Sequence, residues 1–84
     1  MDRDREFSKL VAIELAAEGR RINIKQKEIA AAAGISEQQF SYYVAGTRGS
    51  MTVATLLKAA EHLGIDPDVI VERAYEKLGP RIVS

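Results

Sequence analysis

Between Gln26 and Gly46 the chain reads QKEIAAAAGISEQQFSYYVAG, and its second half gathers Glu37, Gln38, Gln39, Ser41 and Tyr42 into a single short run. Amide and hydroxyl side chains at this density do one kind of chemistry well, which is to donate and accept hydrogen bonds without carrying charge. A glutamine amide matches adenine N6 and N7 together, a serine serves either base type, and a glutamate can accept from cytosine N4. Tyr42 has the reach for a thymine methyl group or a phosphate. Other chemistries find little support. His62 is the single histidine and there is no cysteine, so no metal or catalytic constellation can be assembled around it. Asp66 and Asp68 read as helix-start charge rather than as a catalytic pair. No enzyme activity, metal or cofactor is expected.

The hydrogen-bonding run lies in the one basic part of the chain. Twelve basic and twelve acidic residues cancel over the whole sequence, but residues 20–50 carry a net +3, against −2 for residues 1–19 and −1 for residues 51–84. Arg20, Arg21, Lys25, Lys27 and Arg48 make that excess. It is a weak electrostatic footprint, and a solvated face would have the same composition. With 84 residues the chain is one domain, placed here at 1–79 with a short tail at 80–84. MDRDREF at the start has no apolar core of the signal-peptide kind. No apolar run approaches the roughly 18 residues of a membrane span. A cytoplasmic location is expected.

Helical spacing of apolar residues positions these groups. Phe7, Leu10, Val11 and Leu15 form a first stripe that Gly19 is expected to end as a C′ glycine. A second helix runs from about Lys25 to Ala33 and stops at Gly34. Ser36 and Gln39 have the form of a capping box that opens a third helix, ending near Gly46. Thr52 caps a fourth, with Val53, Leu56, Leu57, Ala60 and Leu63 as its buried stripe. Asp66-Pro67 starts a fifth and Gly79-Pro80 ends it. No stretch alternates with a period of two, so the expected fold is all-α, a compact five-helix bundle.

Two short helices meeting at Gly34 make a helix-turn-helix. Ala30 and Ala33 let the backbones approach, and Ile29, Ile35, Phe40 and Tyr43 fill the angle between the helices. At about 100° per residue, Phe40, Tyr43 and Val44 face inward and Gln38 and Tyr42 face away, with Ser41 and Ala45 on one flank and Gln39 on the other. With Gln26, Ala30, Gly34, Phe40, Tyr43 and Gly46 at this spacing, followed by TVATLLKAAEHLGID, the chain resembles the lambda-repressor and Cro-like (XRE) helix-turn-helix DNA-binding domains over about residues 5–72. The resemblance implies that the third helix enters the major groove of double-stranded DNA. Its base-contacting positions fall on Glu37, Gln38, Ser41 and Tyr42, with Gln39 added as a neighbour. It also puts Gln26 on a phosphate. Arg20, Arg21, Lys25, Lys27, Ser36, Thr47 and Arg48 complete the expected phosphate contacts. The sequence departs from the family's pattern at Val44 and Ala45 and in a loop without proline. Lys25 stands where a capping residue is usual, so Asn23, with Gln26 three residues on, is the expected cap of the second helix.

The fifth helix carries a further stripe, Val71, Ala74, Tyr75 and Leu78, at helical spacing. A domain of this size has little core left to cover it. A homodimer through that stripe, helped by Ile82 and Val83, is therefore expected, which pairs the two third helices on a near-palindromic operator. A small phage-type repressor or Cro protein is the reading that results. An antitoxin that regulates its own operon and a helical interaction module without DNA are the alternatives. A toxin or a polymerase is a further partner that the pattern leaves open.

Overall fold

The computed structural model describes residues 3–79, and these form five α-helices and no strand. They are α1 (Arg3–Arg21), α2 (Gln26–Ala33), α3 (Glu37–Ala45), α4 (Val53–Leu63) and α5 (Pro67–Leu78). The expected all-α bundle is what the chain forms. Leu15, Ile29, Phe40 and Ile70 are fully buried, one each from α1, α2, α3 and α5. The remaining core is built largely from alanines on α2 and α4, Ala30, Ala33, Ala59 and Ala60, which allow these two helices to pack closely.

Three helix ends fall at the expected glycines. At Gly34, Gly46 and Gly64 the backbone turns left-handed, and the next N–H returns to a carbonyl five residues back. Ser36 Oγ accepts from the Gln39 N–H at 3.0 Å, so the first half of the expected capping box is formed. Among the described residues the Gln39 side chain makes no return bond to Ser36. Thr52 Oγ1 accepts from the Thr55 N–H at 3.1 Å and starts α4 as expected.

The end of α1 differs from expectation. Gly19 does not terminate it; the helix continues to Arg21, and Asn23 takes the left-handed conformation at φ 65°. Asn23 N–H donates to the Arg20 carbonyl at 3.3 Å and Ile24 N–H to that of Gly19 at 2.7 Å, the bond pair of a Schellman turn. Asn23 thus closes α1 instead of capping α2. Lys25 occupies the N-cap position of α2 and supplies no side-chain cap. Gly19 is buried inside α1 because α2 and the turn press against it. A Cβ there would stand 2.7 Å from Ile29 Cδ1 and 2.8 Å from the Ile24 carbonyl oxygen.

The buried face of α4 is also rotated from the expected stripe. Thr55, Ala59, Ala60 and Leu63 point inward, whereas Val53 is 73% exposed and Leu57 41%. On α5, Ala74 is fully buried beside Ile70 and belongs to the monomer's own core, so it is not available to a second chain. Val71 and Leu78 are half-buried. Ile82 and Val83 lie outside the described residues.

α5 packs chiefly on α1, and polar bonds fix the pairing. Arg3 Nη2 donates to the Gly79 carbonyl at 3.2 Å, Lys77 is paired with Glu14, and Arg73 Nη1 donates to Glu18 at 3.2 Å. The order of these links makes the two helices antiparallel. Glu18 has a side chain only 4% exposed, yet Arg21 also binds it from one turn along α1. The Arg21 bond, assisted by Arg73 and opposed by burial, holds the Glu18 carboxyl below its usual 4.5. A carboxyl depressed by folding adds stability above pH 4.5, and that addition is lost as the pH falls through its lower folded value. Glu18→Gln is therefore expected to destabilise the protein at pH 7 and to differ least from wild type near pH 3. Urea unfolding at both values checks this, and equal losses at both would contradict the ion-pair account.

Candidate nucleic-acid interface

α3 is anchored by one face and presents the other. Phe40 and Tyr43 are buried and Val44 is half-buried. Glu37, Gln38, Ser41 and Ala45 are exposed, and Tyr42 is half-exposed at the margin of that face. Gln39 lies on the opposite flank, half-buried, with its Nε2 beside Gly49. The division expected from helical spacing is present in part: Phe40, Tyr43 and Val44 face inward and Gln38 is exposed, but Tyr42, expected to face away, is half-buried, and Ser41, expected on a flank, is exposed. The exposed groups are amides, hydroxyls and one carboxylate, all able to bond and mostly uncharged.

The basic residues separate into two groups and a misfit. Arg20, Lys25 and Gln26 line one shallow depression where α1 ends and α2 begins, together with Asn23 and Ile24. Lys25 and Lys27 border a second, along α2. With no side-chain cap at Lys25, the first turn of α2 retains N–H groups suited to an anion. Arg48 lies beyond the C-terminus of α3, its guanidinium 5.0 Å from the centre of the Tyr42 ring. Thr47 is exposed, and its N–H donates to the Tyr42 carbonyl at 3.1 Å. Ser36 is exposed with its oxygen already engaged as a cap, leaving its own O–H as a donor. The misfit is Arg21. It was expected at a phosphate, but the buried Glu18 holds it toward α5.

Several fixing contacts have no counterpart in the sequence pattern. His62 Nε2 lies 2.7 Å from Glu28 Oε2 and ties α4 to α2. Ser8 Oγ accepts from the Met51 N–H at 2.7 Å and holds the loop between α3 and α4 against α1. Each joins residues more than thirty positions apart, so only the folded chain reveals them. Among the described residues no cluster of three or more histidine, cysteine or carboxylate side chains is placed to hold a metal. No helix among them is long and apolar enough to cross a membrane.

The profile of a family described as helix-turn-helix matches residues 20–70, more than half of the chain. The chain belongs to that family. Its members are of the XRE kind, lambda-repressor and Cro-like, which makes this a DNA-binding helix-turn-helix regulator. Searches against curated proteins and against solved structures gave no match. The matched span takes in α2, the turn at Gly34, α3, α4 and the start of α5. Most of α1 and the part of α5 after Ile70 lie outside it.

Proposed function

We propose that this protein is a sequence-specific transcriptional repressor of the Cro kind, which binds a near-palindromic operator as a homodimer with α3 in the major groove. The observation that carries this reading is the solvent face of α3. Gln38 and Ser41 stand exposed on a helix whose other face is locked by Phe40 and Tyr43, so their positions are fixed before any DNA arrives. Preorganised, uncharged donors and acceptors suit base edges better than phosphates. The phosphate contacts fall to Arg20, Lys25, Gln26 and Lys27 on one side of α3 and to Ser36, Thr47 and Arg48 around its two ends. Glu37 either accepts from a cytosine N4 or repels the backbone, and so contributes selectivity in both cases.

Gln38→Ala tests the assignment. The variant is expected to lose about 1–3 kcal/mol on the preferred operator and to relax the preference at one base position, while binding to random DNA is little changed. Selection of bound duplexes from a random pool, run in parallel on wild type and variant, reads both effects. Identical preferences in the two pools would remove Gln38 from the base-reading set.

A further inference from the structure

Arg48 is held differently from other arginines of the chain. Arg21 and Arg73 bind Glu18, and Arg3 binds the Gly79 carbonyl. Arg48 makes no ion pair among the described residues and is exposed, yet it is not left to wander. Its guanidinium lies over the Tyr42 ring at 5.0 Å, inside the range of about 6 Å where a cation is attracted to an aromatic face. The backbone beneath it is fixed as well. Thr47 N–H is bonded to the Tyr42 carbonyl, and the left-handed turn at Gly49 folds the loop back toward Gln39 and Tyr43. Tyr42 therefore holds Arg48 directly through its ring, and its carbonyl holds the backbone of the preceding residue, Thr47.

A guanidinium held over an aromatic face keeps N–H donors free on the side away from the ring, which makes it an anion receptor of set position. The place of the pair on α3 decides which anion it meets. Observed exposure, more than the angle from Phe40, sets the face: Glu37, Gln38, Ser41 and Ala45 are exposed, while Tyr42 is half-buried and lies on the side of half-buried Gln39, at the edge of that exposed set. A helix seated in a groove turns its middle to the base edges and its margins to the sugar-phosphate walls. We propose that Tyr42 is a positioning residue, holding Arg48 as a clamp on a DNA phosphate, and that it adds affinity through the arginine instead of reading a base. This replaces the base contact expected of Tyr42 from the sequence, and it rests on the DNA-binding reading above.

The test combines salt titrations with a measurement that needs no DNA. Arg48→Ala is expected to weaken binding to all sequences about tenfold and to lower the slope of log affinity against log salt by about one. Tyr42→Leu should show a smaller loss of the same kind, and Tyr42→Leu with Arg48→Ala should be no weaker than Arg48→Ala alone. Tyr42→Phe, which keeps the ring, should behave as wild type. Lys27→Ala, at a separate anchor, should multiply with Arg48→Ala. In the free protein, Arg48 side-chain protons should show an upfield ring-current shift in NMR spectra of wild type and Tyr42→Phe that is lost in Tyr42→Leu. Three results would each overturn the clamp while leaving DNA binding intact: multiplying losses for Tyr42→Leu and Arg48→Ala, a Tyr42→Phe variant as weak as Tyr42→Leu, or an altered base preference in Tyr42→Leu. Absence of the ring-current shift would do the same. Absence of salt-dependent DNA affinity in wild type would instead overturn the functional reading, and the clamp with it.

Discussion

Gly19→Val is expected to destabilise the protein by about 3 kcal/mol, at the upper end of what overpacking a core position costs. The position has no room for a side chain. Its Cβ would stand 2.7 Å from Ile29 Cδ1 and 2.8 Å from the Ile24 carbonyl oxygen. Ile29 is fully buried, so its terminal methyl can retreat only into occupied core. The Ile24 carbonyl is backbone, in a turn fixed by the 2.7 Å bond from Ile24 N–H to the Gly19 carbonyl. Relief therefore requires α2 to move away from α1. Gly19→Ala separates the two opposing effects. It gains up to about 1 kcal/mol of helix propensity and loses about 1–3 kcal/mol to the clash, for a net loss near 1 kcal/mol. Against a total stability of about 5–15 kcal/mol, the valine variant should show a plain drop in its urea midpoint. A valine variant within about 0.5 kcal/mol of wild type would mean that the two helices are not in contact at Gly19. Because Arg20, Lys25 and Gln26 flank this contact, the same variant should also weaken DNA binding at temperatures where it remains folded.

Gly19 also shows where reading the sequence fails and why. Gly34, Gly46 and Gly64 end helices, and Gly19 follows an amphipathic stripe in the same way. Glycine is favoured both where φ must be positive and where another backbone comes close, and residue type does not separate these cases. The available signal was Asn23, the other residue that tolerates a left-handed turn, followed by the apolar Ile24. A similar ambiguity affects α4. Val53 and Leu57 have the spacing of a buried stripe, but α4 meets α2 through small residues, Ala59 and Ala60 against the alanines of α2, and this turns the larger side chains outward. Burial by hydrophobicity assumes that the larger residue goes inside; a close helix pair reverses that. The exposed face of α3, by contrast, was legible in outline because it depends on the periodicity of one helix around Phe40 and Tyr43, although Tyr42, placed opposite Phe40 by that periodicity, is half-buried. The Tyr42–Arg48 stack, the engagement of Arg21 by Glu18 and the His62–Glu28 tie were not legible. Each depends on a loop path or on a partner from another helix, which local pattern does not specify.

Tyr75→Lys combined with Leu78→Glu is expected to leave a folded monomer that binds operator at least about a thousandfold more weakly than wild type, approaching non-specific affinity. Tyr75 is 58% exposed and meets Phe7 of α1 edge-on, with 6.2 Å between ring centres. Leu78 lines the same shallow depression as Phe7 and Tyr75, with Arg3 and Asp4 at its edge. An aromatic side chain so exposed, beside half-buried leucine and phenylalanine, is the part of α5 best suited to the proposed dimer. Ala74 contributes nothing to it, since α1 already covers that side of the helix. The proposed surface thus shifts from the expected stripe to Val71, Tyr75 and Leu78 with Phe7 added from α1. The fold should survive the double change, because the α5 core contact rests on Ile70 and Ala74 and the ion pairs of Glu14 and Glu18 with Lys77 and Arg73 are retained. Opposite charges at the two positions leave the net charge at zero, so a loss of DNA affinity cannot come from long-range repulsion. In the proposed dimer, two copies of α3 held about 34 Å apart would read both half-sites in one event, whereas a monomer would gain only one. Joining two variant chains through a flexible linker should then restore most of the affinity by raising the local concentration of the second α3. Sedimentation, circular dichroism and footprinting decide between the outcomes. An unchanged dimer would place the interface elsewhere, and a single asymmetric half-site footprint for wild type would refute two-fold binding.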